Sequence, residues 1–189
     1  MGILGYIHVA FGVLAIVLGL VIFCINKGTR LHRVLGYLYV ASMLGLNITA
    51  LMIYRVFGGF GPFHVLAIIS LVTLFGGWVQ AYFKHPPEKW LRRHYEGMCW
   101  SYVGLLAATA AEIAVRLPFV QGGLAFGIAT FVASFVVVFI GAFVLYRYRD
   151  QVLAGVQSPR AGPNQALQPT GAAVSVPAES KAPDGGPGG

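Results

Sequence analysis

Apolar residues in this chain come in five long blocks, at 3–25, 34–54, 62–83, 96–115 and 124–146. Each block reaches the ~20 residues that cross a hydrocarbon core roughly 30 Å thick, so each is predicted to be a transmembrane α-helix. The segments between them, "NKGTRLHR", "RVFGGFG", "KHPPEKWLRRHY" and "RLPFVQGG", are short and polar or marked by Gly and Pro. Linkers this short make neighbouring helices antiparallel. The expected fold class is therefore an all-α integral membrane protein, an antiparallel bundle of five transmembrane helices occupying 1–148. The residues that follow, 149–189, lose the apolar pattern and become rich in Gly, Pro, Ala and Ser. They cannot bury enough surface to offset ordering entropy and are expected to form a disordered cytoplasmic tail.

Inside a membrane both lipid-facing and core-facing positions are apolar, so small and polar residues mark the packed faces better. In the first block His8, Gly12, Ala15 and Gly19 follow steps of four, three and four, which turns His8 toward the bundle. The third block carries Ser70, Thr73, Gly77 and Gln80. The fourth carries Gly97, Ser101, Gly104, Ala108 and Glu112 on one ridge, and the fifth carries Gly127, Thr130, Ser134 and Gly141. Such faces also permit a homo-oligomer.

Composition agrees with the pattern. Of 189 residues 57% are hydrophobic and 10% charged, with a mean hydropathy of +0.74. A soluble domain carries about 25% charged residues. The formal charge of +7 does not point to nucleic acid, because no soluble domain is present to carry a basic groove. It orients the bundle instead. Lys27, Arg30, Arg33, Lys84, Lys89, Arg92, Arg93, Arg147 and Arg149 fall on one side, and only Arg55 and Arg116 on the other. The positive-inside rule then predicts an inner-membrane protein with the N-terminus outside and the C-terminus cytoplasmic. Anionic lipid head groups are the expected partners of the basic edges. The first block is too long for a signal-peptide core and lacks a basic start, so it is expected to be retained. Cys24 and Cys99 fall on the cytoplasmic side and are expected to stay reduced. "NIT" at Asn47–Thr49 lies within a helix and is no glycosylation site.

The candidate chemistry sits in the outer half. Depths counted from helix rise put His8 roughly 9 Å, Glu112 roughly 8 Å and Asn47 roughly 5 Å outside the midplane. His64 lies higher, at the start of the third helix, near Arg55 and Arg116. A carboxylate within the bilayer is costly and usually paired or functional. Glu112 therefore pairs with Arg116 at i,i+4, or faces His8 as a proton- or metal-binding group. His8 and His64 come from odd helices at compatible depths, so they are candidate ligands of a haem b or a metal, although no C-x-x-C-H motif is present. A second collection, His32, Arg33, His85, His94, Tyr95 and Glu96, lies at the inner surface in or beside loops. No G-x-S-x-G, H-E-x-x-H, phosphate-binding Gly loop or paired aspartates occur, so no catalytic residue is assigned. Two function classes stay open: redox or proton handling through the outer His/Glu cluster, and a non-enzymatic bundle that carries a small solute or supports a partner complex.

The blocks "HVAFGVLAIVLGL", "RLHRVLGYLYVASM" and "RRHYEGMCWSY" resemble the bacterial predicted membrane proteins of domain of unknown function 2306, over about residues 4–117. The most specific piece is H-R-x-x-G-x-x-Y at His32, Arg33, Gly36 and Tyr39. His8, Gly12 and Gly19 carry a first-helix histidine with glycines at +4 and +11. Family members often have His-Arg before a later helix, where this chain has Arg93-His94 and Met98. The resemblance implies a multi-pass bacterial membrane protein and brings no established activity.

Overall fold

The computed structural model describes residues 2–53, 58–87 and 89–157. They form α1 (Ile3–Cys24), α2 (Arg30–Met52), α3 (Pro62–Phe83), α4 (Trp90–Ala114) and α5 (Gly123–Gln157), with no strand among the described residues. All five helices are long and apolar enough to cross a membrane.

Three helices outrun their apolar blocks. α2 starts at Arg30 rather than 34, α4 at Trp90 rather than 96, and α5 runs on to Gln157 rather than stopping near 146. Hydropathy registers only the turns that lie in oil. The extra turns are polar but built of good helix formers and locally bonded. Thr29 caps α2 by accepting the His32 backbone N–H at 3.1 Å. Arg92 pairs with Glu96 one turn on at 2.9 Å, and Arg149 of α5 reaches the same carboxylate at 3.5 Å. The boundary expected at 148 thus falls inside α5, and 158–189 of the expected tail lies outside the described residues.

α1, α2, α3 and α4 pack in a ring in chain order, and α4 closes it against α1. α1 and α3 are therefore diagonal, as are α2 and α4. α5 lies outside the ring along α4, with Gly141 under Val103. The core at mid-height comes from all four ring helices: Ala15, Leu18, Tyr39, Val40, Met43, Leu74 and Leu105. Lipid tails are as apolar as this core, so burial alone does not hold the helices together; close packing and interhelical hydrogen bonds do. The tightest crossing is between Gly77 of α3 and Gly97 of α4. A methyl group on Gly77 would sit 2.7 Å from the Met98 nitrogen and 2.8 Å from the Gly97 carbonyl carbon. Polar ties add to this. The Tyr39 and Ser101 hydroxyls join α2 to α4 at 3.0 Å, and Asn47 Nδ2 donates to Ser70 of α3 at 3.2 Å.

Candidate functional site

α1 and α4 meet at mid-height and part above it. The Tyr102 ring of α4 covers Gly19 of α1, and its hydroxyl donates to the Ile16 carbonyl at 3.2 Å. Toward the end of the bundle that holds the N-terminus, α4 offers Gly104 and Ala108, too small to fill the seam. A Cβ on Gly104 would touch nothing within 4 Å. The result is a cavity of about 560 Å³ among α1, α2, α3 and α4. It extends along α1 from Gly2 to Ile16, about 21 Å of helix. Val9, Val13 and Ile113 line it and are also exposed on the bundle surface, so the α1–α4 seam faces lipid.

The cavity gathers most of the polar residues expected from sequence. His8, Asn47, His64, Glu112 and Arg116 all line it, together with Ser70, expected only as a packing residue, and Thr109, which sequence reasoning did not single out. Arg55 lies outside the described residues. Asn47 is buried and fixed, with Nδ2 donating to the Met43 carbonyl at 2.7 Å and to Ser70. Glu112 and Arg116 form the i,i+4 ion pair at the cavity's end, and the Arg116 guanidinium also donates to the Glu112 carbonyl. The Glu112 side chain is 35% exposed, so this carboxylate sits at the mouth rather than deep in the bundle.

His8 is held by a partner that sequence reasoning missed. Its Nδ1 lies 3.0 Å from the Thr49 hydroxyl. That hydroxyl also lies 2.8 Å from the carbonyls of Gly45 and Leu46. Two carbonyl oxygens that close require the hydroxyl hydrogen between them, since neither carbonyl can donate. The Thr49 oxygen therefore accepts, and His8 Nδ1–H donates. The neutral ring then carries its lone pair on Nε2, the form of a base or a ligand. Thr49 is buried, and its only sequence signal is its position two residues after Asn47.

His64 has the opposite tautomer. The Gly61 backbone N–H donates to His64 Nδ1 at 3.1 Å, closing the first turn of α3 around a buried ring that stacks on Phe60. The neutral ring then carries its hydrogen on Nε2. A haem iron or metal shared by His8 and His64 needs a lone pair on both rings, and His64 provides one only by giving up its cap. Among the described residues no group of three His, Cys, Asp or Glu side chains gathers around a metal position.

The family model described as "Predicted membrane protein (DUF2306)" matches residues 5–151. The chain belongs to the DUF2306 family. The match takes in all five DUF2306 helices, α5 as far as Gln151, where the sequence resemblance reached only 117. It makes the cavity, whose lining runs from Gly2 to Arg116, part of the family's domain from position 5 onward. No curated protein and no solved structure matches the chain.

Proposed function

We propose that this DUF2306 protein takes a lipophilic molecule from the bilayer into the four-helix cavity and holds its hydroxyl head group at His8. The observation that carries the reading is the His8–Thr49 bond, which leaves Nε2 of His8 as a base on the wall of an otherwise largely apolar cavity. The apolar walls suit a hydrocarbon body. The base suits a head group with a hydroxyl to donate, the chemistry of a quinol. The hydroxyl donates a hydrogen bond to Nε2, and the Glu112–Arg116 pair at the mouth is the next polar station toward water. This is the contact from which redox or proton handling at the outer His/Glu cluster would start. A solute carrier is favoured less, because Met43 and Leu74 are fully buried below the cavity floor and leave it a dead end.

The bias of nine cations to two supports an inner-membrane orientation with the cavity on the outer side and the basic turns against anionic head groups. A cytoplasm-dependent reporter fused after Gln157 is expected to be active; activity only of an export-dependent reporter would invert the orientation.

The binding test is titration of detergent-solubilised protein with a quinol bearing a ten-carbon tail, followed by tryptophan fluorescence. His8→Leu keeps the size and removes the base. It is expected to weaken binding at least ten-fold, with the thermal midpoint of the variant reported alongside. Equal binding by the folded variant would remove His8 from the site.

A further inference from the structure

The opposite end of the bundle brings together two histidines that the cavity does not use. His32 is the third residue of α2, set by the Thr29 cap. His94 is in the second turn of α4, three residues before Gly97, where α4 lies directly on α3. α2 and α4 are diagonal in the ring, so the two rings face each other across the bundle rather than along one helix. Their centroids are 6.4 Å apart, and their planes are close to perpendicular, at 88°.

His94 keeps a nitrogen lone pair to spare, and His32 keeps a nitrogen with no partner. His94 Nδ1 lies 3.0 Å from the Gly77 carbonyl, which can only accept, so Nδ1 holds the hydrogen and Nε2 the lone pair. A backbone carbonyl on the far nitrogen is the usual support of a metal-bound histidine. His32 Nδ1 is buried and has no hydrogen-bond partner among the described residues. A buried polar atom without a partner costs about 1–3 kcal/mol unless something else occupies its lone pair.

For a pair of ligands on one metal, the separation favours one geometry. With metal–nitrogen bonds of about 2.0 Å and about 1.1 Å from nitrogen to ring centre, two imidazoles opposite each other on one metal stand about 6.2 Å apart, and at a tetrahedral angle about 5 Å. The observed 6.4 Å matches the linear case. We propose that His32 and His94 are the two opposed imidazole ligands of one metal centre, an iron held in a porphyrin or a copper(I) ion. Both take two histidines in line, and imidazole suits both metals.

The test uses full-length protein purified in detergent from cells supplied with haem precursor and copper, read by optical spectrum and by iron and copper content per chain. A porphyrin iron gives a Soret band with a sharp low-spin α band on reduction. Copper gives about one copper per chain and no Soret band. Either signal should be lost in His32→Ala and in His94→Gly, and should survive in His8→Ala and His64→Ala. Free imidazole should restore the signal in His94→Gly, which separates a lost ligand from a lost fold. Absence of both metals before and after reconstitution would overturn the proposal. So would a signal that persists in both inner variants or disappears only in the outer ones. The quinol titration reports on the other end of the bundle, so either proposal can fail alone.

Discussion

At the scale of residues, the histidines divide by what holds their Nδ1. His8 and His94 donate it, to Thr49 and to the Gly77 carbonyl, whereas His64 accepts with it from the Gly61 N–H. The side chains alike in sequence are thus not alike in chemistry, and the division cannot be read from spacing. The inward turn of His8 was legible from its step to Gly12, Ala15 and Gly19. Its partner was not, because Thr49 is brought to it by the α1–α2 packing from 41 positions away. Thr49→Val removes the hydroxyl at nearly constant volume. It should lower stability by about 1 kcal/mol, the worth of one interhelical hydrogen bond. It should also weaken quinol binding several-fold by freeing the His8 tautomer. Thermal melting and the quinol titration check this together; unchanged values in both would mean that the His8–Thr49 bond orients nothing.

At the scale of elements, the apolar blocks located every helix, because crossing a bilayer demands about 20 apolar residues at a stretch. They did not locate the helix ends, where "TRLH", "KWLRR" and "RYRDQ" continue as polar turns held by Thr29, Glu96 and Arg149. That shortfall also set His94 beside a loop in the sequence reading, when it lies inside α4. The small-residue faces were legible as packing faces, but one glycine does not equal another. Gly97 lies against the backbone of Gly77, whereas Gly104 borders open space. Gly97→Val must therefore push α3 and α4 apart. We expect it to lower the thermal midpoint sharply and to loosen the His94–Gly77 bond, while Gly104→Ala leaves the midpoint near wild type. Equal melting of the two variants would refute a backbone-to-backbone crossing.

At the scale of the whole molecule, the ring of α1, α2, α3 and α4 has a tight waist and one loose seam. Tyr102 against Gly19, Tyr39 on Ser101 and Gly77 on Gly97 close the waist. Above it, Gly104 and Ala108 leave the α1–α4 seam open to lipid, and the polar residues of four helices meet there. Glycine in a membrane helix is read from sequence as a site of close packing, so an empty seam behind one is visible only once the neighbours are placed. The central claim is that this seam holds a ligand. Gly104→Phe tests it most directly, since Gly104 lines the cavity and its Cβ position borders open space, so the added ring has the cavity to fill. The measurement is quinol affinity of wild type and Gly104→Phe at matched thermal stability. The account predicts that wild type binds and that the filled cavity loses at least ten-fold in affinity; equal affinity in the two proteins would contradict it.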